Sequence, residues 1–381
     1  MIPLSIPNIS GNEWKYVKDC LDTGWISSVG QYVNDFEKYI AEFTGSKYAV
    51  ACVNGSAALH LSLQLAGIQR EDYVIAPNIT FVATCNTISY HGAHPILIDV
   101  DEFTWQMDLD ILEEFLQNET TIGERNGKPC CIHKADKKVI SIIMPVHVLG
   151  NMCDMDRMME LATKYHLTVV EDSTEALGST YKGNHAGTFG IFGTSSFNGN
   201  KIISTGGGGM IFTQDEALAK KAKHFTTQAK TDPFEYHHDE TAYNYRLVNM
   251  LAAIGVAQLE LLPGFLARKK EIDETYRKNL ENDRLRFQKV TKGVSPNNWL
   301  HTMWVEDQRA MIKHLLEHEI QCRPFWVPMN MLPMYTNNMY LTHNNISEKV
   351  YRHCISIPSS TNLTNDQIIE VIQVIKVGPG Y

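Results

Sequence analysis

The sequence predicts an α/β fold: a mostly parallel central sheet with helices on both faces, then a smaller C-terminal α/β domain. Three observations carry this. From residue 13 to about 215, short apolar runs alternate with segments of helical period, as in a parallel sheet wound with crossover helices. Val139-Ile140-Ser141-Ile142-Ile143-Met144 is almost wholly apolar, without the alternation of a half-exposed strand, as strands covered on both faces are. After a long apolar helix, Pro263-Gly264 punctuates the chain and the pattern changes.

In chain order, helices are expected over 13–21 and 32–44, then a strand over 48–53. Helix 56–66, strand 73–76, helix 81–91 and strand 95–99 follow. Helix 109–118 leads into a polar stretch, 120–138, holding Gly123, Gly127 and Pro129; it reads as an inserted surface loop or hairpin. Strand 139–145, helix 155–166 and strands 168–172, 194–197 and 209–212 complete the sheet, with helix 216–225 behind it. A long helix over 248–262 should stop at Pro263, and a charged helix over 267–280 should open the remainder. The chain divides on this reading into a large domain, 1–255, and a small one, 256–381.

With 34 Lys+Arg against 43 Asp+Glu the net charge is −9, which argues against a nucleic-acid partner. One local basic pocket for a phosphate ligand remains compatible with it. Apolar residues at 44% and charged residues at 20% exclude a disordered chain, a collagen or a coiled coil. The eight cysteines contain no CxxC pair and do not read as a disulfide framework. The N-terminus lacks the basic and apolar regions of a signal peptide, and no run of about 18 apolar residues marks a membrane span. A cytoplasmic protein is expected.

Sheets of this kind present ligand groups at the carboxyl ends of their strands. Four segments fall there. Lys201 ends Ser196-Phe197-Asn198-Gly199-Asn200-Lys201, just before Gly206-Gly207-Gly208-Gly209; a lysine on such a turn can be desolvated into a nucleophile. Asp172 closes Val169-Val170-Glu171-Asp172, where a carboxylate can pair with a cationic ring nitrogen, bind a metal or cap a helix. Asn54-Gly55-Ser56-Ala57 turns a strand into a helix whose N-terminus can take a phosphate. Phe81, in Thr80-Phe81-Val82-Ala83-Thr84, can lie over a planar ring. No P-loop and no dinucleotide fingerprint occurs. Neither His91 with His94 nor His237 with His238 has a cysteine or carboxylate at ligand spacing, so no metal is expected. An amine, a ring-nitrogen carboxylate, a phosphate cradle and a stacking aromatic are together what pyridoxal 5′-phosphate (PLP) requires.

The order and wording of these segments resemble the DegT/DnrJ/StrS sugar aminotransferases, of the aspartate aminotransferase superfamily (fold type I). The resemblance covers nearly the whole chain, including Thr23-Gly24-Trp25-Ile26-Ser27-Ser28, Asn54 to Leu59, Thr80-Phe81, Glu171-Asp172 with Glu175-Ala176, Ser196 to Lys201, and Tyr243-Asn244-Tyr245-Arg246. It implies that Lys201 is the Schiff-base lysine and proton shuttle, and that Asp172 pairs with the pyridinium nitrogen. Glu175 would stand near the ring hydroxyl and Phe81 would stack on the ring. Ser56, Ala57 and Ser196 would hold the phosphate, and Asn244 would reach it from the partner subunit of a homodimer. Trp25, Ser28 and His147 would lie near the sugar.

The implied reaction moves an amino group from L-glutamate to a nucleotide-linked keto sugar. The motifs are most similar to those of enzymes aminating C4 of UDP-linked 4-keto-6-deoxy-N-acetylhexosamines, with Arg323 on the pyrophosphate. GDP- or dTDP-4-keto-6-deoxyhexose aminotransferases of the perosamine or viosamine type are the alternative. A PLP-dependent dehydratase, which would carry His in place of Lys201, and a non-catalytic regulator are further alternatives.

Overall fold

The computed structural model describes residues 1–232 and 234–381. Helices α1 (Glu13–Thr23) and α2 (Gln31–Thr44) lead into β1 (Tyr48–Cys52), α3 (Gly55–Leu65), β2 (Tyr73–Pro77), α4 (Ala83–Tyr90), β3 (His94–Ile98) and α5 (Leu109–Glu119). A hairpin of β4 (Thr120–Arg125) and β5 (Lys128–His133) precedes β6 (Val139–Ile143), α6 (Met155–Lys164) and β7 (Thr168–Asp172). Short strands β8 (Thr180–Tyr181) and β9 (Asn184–His185) come before β10 (Phe192–Ser196), β11 (Gly209–Thr213) and α7 (Glu216–Thr226). Each strand and helix expected up to this point is present, with ends moved by a residue or two.

The rest of the chain holds α8 (Asn249–Leu280), β12 (Arg286–Phe287), β13 (Val294–Ser295), β14 (His301–Trp304), α9 (Gln308–Glu317), β15 (Arg323–Pro324), β16 (Tyr340–Leu341), α10 (Ile346–His353), β17 (Cys354–Ile357) and α11 (Asn365–Lys376).

The large sheet runs β1-β11-β10-β7-β6-β2-β3-β16. Only β11 is antiparallel to its neighbours along this path; β10, β7, β6, β2, β3 and β16 pair in parallel. Separate apolar clusters cover it. Ile96, Ile98, Ile140 and Ile143 pack with Leu112 and Phe115 of α5 and Met158 of α6. Val74, Leu97, Val170 and Ile211 pack with Leu59 and Leu63 of α3, Ile88 of α4 and Phe225 of α7. Each such side chain removed from water contributes about 1.5–3 kcal/mol, so two-sided burial explains the unbroken apolar runs.

Pro263 does not end a helix. The expected helices over 248–262 and 267–280 are one, α8, with the proline inside it. An interior proline costs about 3 kcal/mol through its missing N–H and its ring. Here α1 and α2 lie along α8, and α11 packs on it too, burying Val256, Leu262, Phe265, Ile272, Tyr276 and Leu280. That burial outweighs the loss. By length and composition α8 could cross a membrane; in this fold 44% of its apolar window is buried inside the molecule. The expected divide at 255/256 therefore falls inside a helix. The four-stranded sheet β12-β14-β17-β15 is built wholly from later residues, but β16 crosses back to pair with β3.

The 120–138 stretch is a hairpin, with Thr120 opposite His133 and Arg125 opposite Lys128. It joins the sheet at the start of β6, where Cys131 faces Ile140. It thus lies at the amino ends of the strands, opposite the end where Asp172 sits. Arg125 pairs with Asp72 at 2.6 Å and Lys138 with Glu71 at 2.8 Å.

Candidate active site

Five strand ends converge on one cavity of about 410 Å³. From β1 come Asn54, Gly55 and Ser56; from β2, Thr80 and Phe81; from β6, Val146; from β7, Asp172, Thr174 and Glu175; from β10, Ser196, Asn198, Asn200 and Lys201. Trp299, Arg323 and Trp326 close the far wall. Lys201, Asp172, Ser56, Phe81, Glu175, Ser196 and Arg323 thus line one cavity.

The start of α3 is built for close approach. Asn54 caps the helix, its Oδ1 accepting from the Ala57 N–H at 2.8 Å. That bond occupies the Ala57 amide, and Ala57 does not border the cavity. Gly55 and Ser56 do border it, and their amides are orphan donors of a helix N-terminus. A Cβ on Gly55 would stand 2.9 Å from that of Ser196, and one on Gly209 would stand 2.4 Å from the Asn54 carbonyl oxygen. Both glycines are needed for α3 to meet β10 and β11 this tightly. Phe81 lies just ahead of α4, and its ring is 56% exposed beside this cradle.

Asp172 is 3% exposed. Its Oδ2 accepts from Thr84 Oγ1 at 2.6 Å, and its Oδ1 accepts from Thr174 Oγ1 at 2.7 Å and from the Thr174 N–H at 3.2 Å. Lys201 Nζ stands 3.8 Å from Glu175 Oε1 and 4.0 Å from the centroid of the Trp299 ring. Burial pushes the Lys201 amine below its ordinary value, although Glu175 and Asp172 pull it up. Burial also pushes the Glu175 carboxyl up, against Lys201 and the Leu149 N–H, which donates to it at 2.9 Å. Both shifts disfavour separated charge in a dry site. The result is a lysine whose neutral, nucleophilic form is favoured.

This donor set fits PLP. A desolvated amine, a fixed carboxylate, free amides at a helix start and an exposed aromatic face share one cavity, and Gly55 leaves room where a side chain would fill the cradle.

Besides Ala57, four expected residues lie elsewhere. His147 is fully buried and does not border the cavity; its Nε2 meets Glu171 at 2.9 Å. Val146 faces the ligand space, and side chains alternate along an extended chain, so His147 points the other way. Glu171 also accepts from the N–H groups of Gly187, Phe189 and Gly190, which makes the pair a brace for that loop. Trp25 and Ser28 sit on a loop held by Asn249, whose Nδ2 donates to the Trp25 carbonyl at 2.7 Å and whose N–H donates to that of Ser27. Neither residue borders the cavity of its own chain. Asn244 is exposed and also outside it.

Trp299, Thr84 and Thr174 were not singled out from sequence. Trp299 carries no local motif and reaches Lys201 from the far side of α8; its Nε1 donates to the Asn200 carbonyl at 2.7 Å. Thr84 lies in the first turn of α4, four residues after Thr80 and in the segment that carries Phe81. Among the described residues, His224, Asp239 and Glu240 lie at metal-ligand spacing. They are outside the cavity, and Lys221 pairs with Glu240.

Residues 7–376 match the model of the DegT/DnrJ/EryC1/StrS aminotransferase family. The chain is 40% identical over 377 residues to a GDP-perosamine synthase of Escherichia coli O157:H7, covering 98% of this chain and 97% of that protein. A GDP-perosamine synthase of Vibrio cholerae is 34% identical, with 99% and 98% covered. A UDP-2-acetamido-2-deoxy-3-oxo-D-glucuronate aminotransferase of Pseudomonas aeruginosa is 30% identical over 70% of each chain. Among solved structures, a Streptococcus pneumoniae sugar aminotransferase homologue in its PLP form superimposes with a TM-score of 0.86 at 26% identity, over 98% of this chain and 97% of that one.

Proposed function

The chain belongs to the DegT/DnrJ/EryC1/StrS aminotransferase family, whose enzymes are PLP-dependent sugar aminotransferases, and we propose that its amino acceptor is a GDP-linked 4-keto-6-deoxyhexose. L-Glutamate is the amino donor on this reading, leaving as 2-oxoglutarate, and C4 of the sugar receives the amine. The observation that carries the choice is end-to-end similarity, at 40% and 34% identity, to two proteins named GDP-perosamine synthase. The match to the UDP-sugar enzyme is weaker and shorter. This moves the balance from the UDP-linked acceptor expected from the motifs to the GDP-linked alternative.

When bound, PLP supplies the electron sink for cleavage of a C–H bond next to nitrogen. The chain's own residues do the rest. Lys201 Nζ, whose neutral form burial favours, would remove the proton from one carbon and return it to its neighbour. Asp172 would hold the proton on the ring nitrogen. Phe81 would cover one face of the ring, and the Gly55 and Ser56 amides with the Ser56 and Ser196 hydroxyls would anchor the phosphate. Glu175, whose protonated form is favoured by burial, holds a proton within reach of the lysine. Arg323 at the mouth binds the nucleotide's pyrophosphate, since a guanidinium suits bidentate phosphate contacts. A retained Lys201 argues against the dehydratase alternative, and the complete donor set argues against the regulator.

We further propose a homodimer with shared sites. Asn244 is exposed outside its own cavity, and Trp14, Leu21, Trp25, Ile26 and Val29 expose apolar surface around the N-terminal loop, which suits a covered face. The eight cysteines are all free and buried, which supports a reducing, cytoplasmic setting.

The test offers PLP-loaded protein L-glutamate with GDP-4-keto-6-deoxyhexose or UDP-2-acetamido-4-keto-2,6-dideoxyhexose, in parallel, read by mass spectrometry and NMR. A 4-amino GDP-sugar is expected. Product from the UDP-sugar alone would overturn the choice of nucleotide.

A further inference from the structure

Asp172 is held by more than its own strand. Thr84, 1% exposed in the first turn of α4, donates from Oγ1 to Asp172 Oδ2 at 2.6 Å. Behind it, Thr80 Oγ1 lies 2.7 Å from Thr84 Oγ1, with Thr80 fully buried. The Thr80 hydroxyl is also 3.1 Å from the Phe81 carbonyl oxygen. Two hydroxyls therefore stand in line between the backbone of the stacking aromatic and the carboxylate. Neither hydroxyl serves as a helix cap, because α4 has no side-chain cap bond. Threonine is also a poor choice for helix propensity alone.

Each hydroxyl has one proton to give and can accept as well. When Asp172 is ionised it can only accept, so the line runs Thr80 to Thr84 to Asp172. When Asp172 holds a proton the line reverses, Asp172 donating to Thr84, Thr84 to Thr80 and Thr80 to the Phe81 carbonyl. Both directions use the same heavy-atom positions. The charged groups facing Asp172 are Lys201, from beyond β10, and Glu175, three residues further along its own segment, with the Cys85 thiol on α4.

We propose that Thr84, backed by Thr80, is a positioning residue: it fixes the plane of the Asp172 carboxylate and, by donating to it, keeps the proton on the ring nitrogen that Asp172 serves. Hydrogen bonds to a charged form favour that form, and a buried line of them is stiffer than a single contact. The inference rests on the pairing of Asp172 with the ring nitrogen, and is independent of which sugar is aminated.

The experiment uses holoenzyme loaded with PLP labelled with nitrogen-15 at the ring nitrogen, read by solid-state NMR, together with the single-turnover reaction with L-glutamate. In Thr84→Val the nitrogen signal should move toward the unprotonated position. The glutamate turnover should fall about tenfold, the worth of one buried hydrogen bond to a charged group, with KM within about twofold. Thr84→Ser should restore both. A wild-type signal and rate in Thr84→Val would overturn the proposal. If that variant does not take up PLP, Thr80→Val decides: a smaller shift in the same direction supports the line, and an unmoved signal overturns it. An unprotonated nitrogen in the wild type would instead overturn the Asp172 pairing, and the proposal with it.

Discussion

The two ends of the large sheet carry the same residue types to opposite effect. At the amino ends, Arg125 pairs with Asp72 and Lys138 with Glu71, and hydrogen bonds from Lys138 and His94 pull the exposed Glu71 carboxyl down to about 2. Tyr73 and His133 likewise pull Asp136 down to about 2 despite partial burial. At the carboxyl ends, burial dominates, pushing Glu175 up and Lys201 down. Paired surface charge stabilises or does little. Desolvated charge with an opposed partner is poised to exchange protons. Charge alone therefore does not separate the two ends; the direction of the shift does.

The sharpest way to break this contrast is Lys201→Ala. Transamination should fall by about 10⁴-fold, the upper range for a lost proton-transfer group, with PLP still bound non-covalently. Steady-state rates and the absorbance of the loaded protein check it. Residual activity within tenfold of wild type would remove the lysine from the chemistry.

Arg323→Ala probes the rim of the same end. KM for the sugar nucleotide should rise about 10- to 100-fold, as for a lost charge-assisted bond, while the glutamate half-reaction is unchanged. Equal damage to both half-reactions would place Arg323 on the floor of the cavity, not its mouth.

At the other end, Arg125→Ala leaves Asp72, 4% exposed, without its cation. Denaturant unfolding should show a loss of about 1–3 kcal/mol, with kcat within about twofold. A large fall in kcat at intact stability would show that the hairpin end shares in function.

How much of this contrast was readable beforehand follows from distance along the chain. Lys201, Asp172, Ser56 and Phe81 each sit in a short segment next to a strand, so the alternating pattern already placed them at carboxyl ends. Trp299 approaches Lys201 from beyond α8, and no local pattern records such a meeting. His147 was misdirected because residue type was read without orientation: the same alternation that aims Val146 at the cavity aims His147 at Glu171. Pro263 misled for another reason. A local propensity was weighed without the packing of α1, α2 and α11 that overrides it.

The smallest expected effect separates the two ends by the sign of their pH dependence in protein before PLP is added. Glu71 has its folded value lowered, so its stabilising contribution is present above about 4.5, the ordinary value, and is lost as pH falls through about 2. Glu175 has its folded value raised, so its contribution is present below about 4.5 and is lost as pH rises toward neutrality. The groups facing Glu175 are Lys201, Asp172 and the Leu149 N–H. Tm against pH should therefore diverge oppositely in two variants. Glu71→Gln should match wild type at pH 2 and fall slightly below it at neutral pH. Glu175→Gln, which mimics the protonated form, should match wild type near pH 4 and exceed it at pH 8. The inflection in the rate of PLP uptake should also move to lower pH in Glu175→Gln, because the carboxylate that raises Lys201 is gone. Parallel Tm curves for both variants would mean that the ends of the sheet differ in place but not in electrostatics.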